Sequence, residues 1–202
     1  MPAAIGPVQR TLDFWFDYHS PWSYLAAARL TAIESRHNVR FRWRPLHLPR
    51  LIEMIGGRRP LEGPAAFVRW YQQDLQDWAA LYGMNIRYHP EFPLRPARAL
   101  RATLFVETLQ LEAPFALAVF RAYWTESLDI SDLAVLGTLG AAVGLNAEQV
   151  AAAAENPVWK QGLAANTAAA AAQGVFGVPT VNTGTKLFFG NDRLDMLERY
   201  LG

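Results

Sequence analysis

Residues Thr11 to Tyr18 form a short run in which Leu12, Phe14, Trp15 and Phe16 are apolar. A run of that length predicts a buried strand. Ser20-Pro21 follows, a hydroxyl able to cap a helix and then a proline suited to the first helical position. The helix is expected to reach about Arg36, with Leu25, Ala28, Leu30 and Ile33 toward the core, and to stop at His37-Asn38. From Val39 to Leu46 the period changes to two. Val39, Phe41 and Trp43 fall on one side, and Arg40, Arg42 and Arg44 on the other, which predicts a second strand. Strand, helix and strand at this spacing make a βαβ unit with parallel strands.

Helical spacing dominates from Pro49 to Gly174. Candidate helices are Pro64 to Tyr82, Pro96 to Leu111, Pro114 to Thr125, Asp132 to Val143, Ala147 to Ala154 and Val158 to Gln173. Gly83, Pro90, Pro93 and Gly144 punctuate them. The strand pattern returns at Pro179 to Asn182, turns at Thr183-Gly184 and pairs with Lys186 to Phe189, a hairpin. Asn191 or Asp192 is expected to cap a last helix whose Leu194, Leu197 and Leu201 keep helical spacing. The outer pieces add up to one small sheet, interrupted by the helical block. The expected organisation is an α/β domain from residues 10–48 and 174–202, with residues 49–173 inserted as an α-helical domain.

Charge and composition narrow the chemistry. Nineteen basic residues against 18 acidic leave a net charge of +1, unlike the strongly basic surface of a nucleic-acid binder. There is no cysteine, which excludes disulfides, thiolate zinc sites and a cysteine nucleophile. No apolar run reaches the roughly 20 residues needed to span a bilayer, because Glu155, Asn156, Pro157 and Lys160 break the alanine-rich stretch from Ala151 to Ala172. Met1 to Arg10 lacks the charge and apolar pattern of a secretory signal, so a cytoplasmic location is expected. His37, His47 and His89 have no paired metal spacing. His19 adjoins Ser20, but no Gly-x-Ser-x-Gly elbow supports a serine hydrolase.

Three motifs carry further meaning: Asp17-Tyr18-His19-Ser20-Pro21-Trp22-Ser23-Tyr24-Leu25, Gly174-Val175-Phe176-Gly177-Val178-Pro179-Thr180 and Phe188-Phe189-Gly190-Asn191-Asp192-Arg193-Leu194. Their order and separation resemble the 2-hydroxychromene-2-carboxylate isomerases and the related kappa-class glutathione transferases. Both belong to the DsbA-like branch of thioredoxin folds. The resemblance covers nearly the whole chain after Arg10 and implies a thioredoxin-like sheet carrying a large helical insertion.

Each motif has a plain reading and a functional one. Ser20 alone is a helix cap, worth about 1 kcal/mol. The same helix start favours an anion, and a thiolate there has a depressed pKa. Redox relatives place a Cys-x-x-Cys motif where this chain has Ser20 and Ser23, so the anion site is present without a sulfur of its own. A diffusible thiol fits, with Ser20 donating its hydroxyl hydrogen to the sulfur. Val178-Pro179 corresponds to a cis-proline loop, whose Val178 backbone groups can pair with the cysteinyl part of glutathione. Asn191, Asp192 and Arg193 alone are helix-start residues. By resemblance they hold the γ-glutamyl end, with Asp192 on its ammonium and Asn191 and backbone N–H groups on its carboxylate.

Arg50 aligns with a substrate-binding arginine, a suitable clamp for a carboxylate, or is one surface arginine among many. Asp74 also matches and reads as structural. Trp22, Trp43 and Phe92 are candidates to line an apolar pocket. The chain departs from the pattern at Phe67 and Trp70, where relatives commonly carry a lysine and a tyrosine. It departs again at Asp77, where a basic residue often stands, and in the loop Gly56-Gly57-Arg58-Arg59-Pro60. These segments would border the substrate side of the cleft.

The resemblance implies a glutathione-dependent isomerase acting on a small aromatic carboxylate by thiolate addition, ring opening, bond rotation and elimination, in a homodimer. A transferase that keeps the thioether is the nearest alternative. A thiol- or peptide-binding module without catalysis is another.

Overall fold

The computed structural model describes residues 9–58 and 60–202. Met1 to Val8 of the leader reading, and Arg59 of the Gly56-to-Pro60 loop, lie outside the described residues. Strand β1 (Arg10–Phe16) and strand β2 (Val39–Pro45) run parallel, joined by helix α1 (Pro21–His37). Strands β3 (Thr180–Asn182) and β4 (Leu187–Phe189) complete a mixed sheet of order β2-β1-β3-β4. Phe14 stands between Trp43 on β2 and Val181 on β3.

The consecutive apolar residues Phe14, Trp15 and Phe16 of β1 have a packing cause. Leu12, Phe14 and Phe16 face one core with Val39, Phe41 and Trp43. Trp15 faces a second core with Leu46, Leu51, Ala170, Val175 and Val178. Where the strand is covered on both faces no solvent side is left for polar residues, whereas nearer its start Thr11 is exposed and Asp13 pairs with Arg42 at 2.6 Å. β2 does alternate, with its Arg40 and Arg42 side exposed, and the Arg44 guanidinium lies over the Trp15 ring.

α1 buries Leu25, Ala26, Ala27, Leu30 and Ile33. Ala28, expected toward the core, is exposed. It lies about 200° round the helix from Ala26, and alanine gave no polarity signal to separate the two faces. The helix ends at Asn38 in the left-handed region, φ 48°. A short helix α2 (Leu48–Ile55) was not singled out by pattern. It has eight residues, one of them fully buried, Leu51, too few for a period to emerge.

A 3₁₀ turn (Pro60–Glu62) leads to α3 (Ala65–Leu81), α4 (Ala97–Glu107), α5 (Glu112–Trp124), α6 (Leu133–Ala142), α7 (Ala147–Glu155) and α8 (Pro157–Ala172). The stretch expected as Pro96 to Leu111 stops at Glu107, because a turn with Gln110 at φ 59° follows. α5 starts two residues before Pro114, which sits in its first turn, where its missing N–H breaks no helical bond. α8 returns to the sheet: Asn166 Nδ2 donates to the Pro45 carbonyl at 3.2 Å, and the His47 N–H donates to Thr167 Oγ1 at 3.0 Å.

A 3₁₀ turn (Asn191–Arg193) precedes the last helix, α9 (Leu194–Leu201). The expected side-chain cap from Asn191 or Asp192 is not made, since the tight turn itself opens the helix. Among the described residues no helix is long and apolar enough to cross a membrane.

Candidate active site

β1 delivers the chain to a buried acid. Asp17 is fully buried, and its carboxylate accepts from the His19 N–H at 2.9 Å and the Leu48 N–H at 2.7 Å. One side chain thereby ties the entry to α1 to the entry to α2. Tyr18 anchors the same loop to the helical block through Thr103 Oγ1, at 2.6 Å, and through the Trp124 indole N–H, which donates to its carbonyl at 2.8 Å. Burial pushes the Tyr18 phenol far above its ordinary range, so it stays neutral.

Ser20 caps α1, with Oγ accepting from the Ser23 N–H at 3.1 Å. The same hydroxyl donates to the Val178 carbonyl at 3.3 Å. Ser20 is buried with 5% exposure, so this is an interior contact between two loops. The Val178–Pro179 peptide is cis. The backbone N–H groups of Val178 and Trp22 meet no acceptor among the described residues. Pro21 brings no N–H of its own. The Ser20 hydroxyl and the Trp22 N–H therefore lie at the helix start, where the dipole favours negative charge, and the Val178 N–H belongs to the residue bonded to Ser20.

The third motif joins this pair through the backbone. The Gly190 N–H donates to the Pro179 carbonyl at 2.9 Å, and the 191–193 turn packs against α1. Asn191 is buried, and its Nδ2 finds no partner among the described residues. Asp192 is exposed and turned toward Gly190, whose φ is 105°. Arg193 is exposed, with Nη1 3.7 Å from the Asp192 carboxylate.

Asp74 on α3, read from the sequence as structural, lies in the electrostatic field of Asp192. Burial first, then the neighbouring Asp77 and Asp192, hold its carboxyl above the ordinary aspartate range. Acids that repel one another make a ready place for an ammonium group. No sequence signal paired Asp74 with Asp192, because 118 positions separate their numbers. Asp17 was visible in the first motif, but its double acceptor role depends on α2.

Not every candidate joins the group. Arg50 sits in the first turn of α2, 59% exposed at its side chain, paired with Glu53 at 2.7 Å. Trp43 is 2% exposed, packs edge-on to Phe14 and Phe16, and borders a cavity with Glu34, Arg40 and Gln110 whose lining does not include Ser20 or Val178. Trp22 is half-buried against Tyr71 on α3, and Phe92 packs against Tyr88. The His19 ring bonds the Leu94 carbonyl and lies beside Phe92 and Tyr123, while Ser20 turns to Val178. Among the described residues no three metal-binding side chains converge.

The DSBA-like thioredoxin domain model matches residues 11–202. A 2-hydroxychromene-2-carboxylate isomerase of Sphingobium xenophagum is 28% identical over 193 residues, 95% of this chain and 98% of that protein. Glutathione S-transferase kappa 1 of Homo sapiens is 25% identical over 224 residues, 98% of this chain and 93% of that protein. A solved 2-hydroxychromene-2-carboxylate isomerase superposes with a TM-score of 0.84 at 27% identity, covering 95% of this chain and 94% of that one.

Proposed function

We propose that this chain, which belongs to the DSBA-like thioredoxin family over residues 11–202, is a glutathione-dependent isomerase of 2-hydroxychromene-2-carboxylate or a related aromatic-degradation intermediate. One observation carries the reading: a buried serine at a helix start, hydrogen-bonded to the carbonyl before a cis proline, in a chain without cysteine. The residues present fit the thiol cofactor. Val178 offers its N–H to the cysteinyl segment. Asn191 Nδ2, buried without a partner, is a donor for the γ-glutamyl carboxylate. Asp192, with Asp74 nearby, suits the ammonium, and Arg193 flanks them. When bound, glutathione supplies the thiolate that adds to the conjugated ring system and is released after the bond has rotated.

Ser20 then turns its hydroxyl hydrogen from Val178 to the sulfur, and the N-terminus of α1 lowers the cost of negative charge there. Arg50 holds the substrate carboxylate, exchanging Glu53 for it. The thioredoxin-like part (residues 10–48 and 174–202) holds the thiol, and residues 49–173 shape the substrate side, in a cytoplasmic homodimer. The same site supports a transferase as the second reading, favoured by the likeness to the human kappa enzyme.

Thermal melting with glutathione and with S-methylglutathione tests the thiol. Glutathione at 100 times its dissociation constant should add about 2.7 kcal/mol, and the methylated form, which has no thiolate, should add less. No shift at millimolar glutathione overturns the proposal. Product analysis separates the two outcomes: an accumulating thioether means transferase.

A further inference from the structure

We infer that Phe67 and Trp70 form an aromatic shelf that selects the electrophile by the number of its fused aromatic rings. This rests on the reading of Ser20 as the sulfur site. Trp22, two residues beyond Ser20, meets Tyr71 edge-on with ring centroids 5.3 Å apart. Tyr71 lies 6.1 Å from Phe67, and Phe67 lies 5.6 Å from Trp70. Ring contacts thus continue from the helix start to the surface of α3.

The inner and outer ends of this ladder differ. Tyr71 is largely buried, and that burial pushes its phenol above the ordinary range. Phe67 is 40% exposed and Trp70 54% exposed, and Leu61 on the preceding 3₁₀ turn is 38% exposed. Single exposed apolar residues are ordinary. A Trp and a Phe in mutual contact, joined by rings to a residue beside Ser20, form a surface with a direction. Between Glu62 and Arg69 the chain carries no charged side chain, so the Phe67 part of the shelf discriminates by apolar area and ring stacking.

Fused aromatic planes pack on such rings at centroid distances of about 4.5–7 Å. The electrophilic carbon must stand at the sulfur beside Ser20. A one-ring substrate then meets Trp22 and Tyr71, whereas the outer rings of a two- or three-ring substrate extend over Phe67 and Trp70.

The test is direct titration of the full chain with benzoate, 2-naphthoate and 2-anthroate, with and without saturating glutathione. Wild type is expected to gain at least about fivefold in affinity per added ring, about 1 kcal/mol. The Phe67→Ala/Trp70→Ala double variant is expected to gain less than about twofold per ring, while Trp70→Phe keeps most of the gain. Equal affinity for the three probes in wild type, or an undiminished gain in the double variant, overturns the shelf. So does a double variant that loses its oligomeric state with the ring series unchanged, which would make the patch a subunit contact. The series without glutathione reads the shelf even if glutathione fails to stabilise the protein, and that failure would overturn only the thiol reading.

Discussion

Replacing Ser20 separates a structural serine from a functional one. Ser20→Ala removes the cap bond to the Ser23 N–H and the hydroxyl on the Val178 carbonyl, bonds of 3.1 and 3.3 Å. A lost cap costs about 1 kcal/mol, and a buried carbonyl left without its donor adds about 1 kcal/mol. In a chain of this length each kcal/mol moves Tm by about 2–4 °C, so Ala should lower Tm by about 4–8 °C. Ser20→Gly removes the same hydroxyl, but glycine at a cap position costs only a few tenths of a kcal/mol. Stability should therefore order as wild type, Gly, Ala. Turnover should not follow that order. Both variants lose the hydroxyl proposed to hold the sulfur, and each should fall at least about tenfold, or about 1.4 kcal/mol of barrier. The assay is the initial rate of 2-hydroxychromene-2-carboxylate isomerisation at saturating glutathione, with a melting curve on the same samples. Rates in both variants within twofold of wild type would reduce Ser20 to a helix cap.

Asp17→Asn leaves either the His19 or the Leu48 N–H facing an amide NH₂, at a cost of about 2 kcal/mol. Calorimetry should find Tm lower by about 4–8 °C, and an unchanged Tm would refute the double acceptor role. For Asp74 the folded chain titrates higher than the unfolded one, so the native state binds more protons between the two titrations and stability falls as pH rises through that window. Asp74→Asn should therefore raise the Tm of the free protein at pH 7 by about 1–2 °C. The gain should vanish below the ordinary aspartate range, and glutathione binding should weaken by at least about threefold. A Tm gain that persists in acid would contradict the cause assigned to the shift. Gly190→Ala places a Cβ against the Asp192 carboxylate at φ 105°, and should weaken glutathione binding by at least about tenfold in a calorimetric titration. Unchanged affinity would remove Asp192 from the site.

Local chemistry explains what was legible in the sequence. The period of two at Val39 to Trp43, the Ser20-Pro21 helix start and the Thr183-Gly184 hairpin each need only neighbours in the chain, and each appears where expected. What escaped depends on distant partners. Ala28 and Ala26 are chemically identical, and only the elements packed on α1 decide which is buried. The expected Asn191 cap failed because Gly190, tied to the Pro179 carbonyl, starts a 3₁₀ turn instead. Asp74 meets the field of Asp192 only after the helical block has folded back.

The same distinction bears on Ser20. As a cap it needs only Ser23, three residues away. Its second bond, to the carbonyl of Val178, crosses 158 positions, and a helix cap has no need of it. That contact brings Val178, whose N–H is unpaired among the described residues, to the start of α1. In a chain without cysteine, donors at that place suit the external sulfur that the proposed function supplies. The cap explains why the serine is tolerated there, and the long-range bond is the part that a function must explain. Ser20→Gly, which nearly spares the cap while abolishing the bond to Val178, is therefore the variant on which the two explanations diverge most.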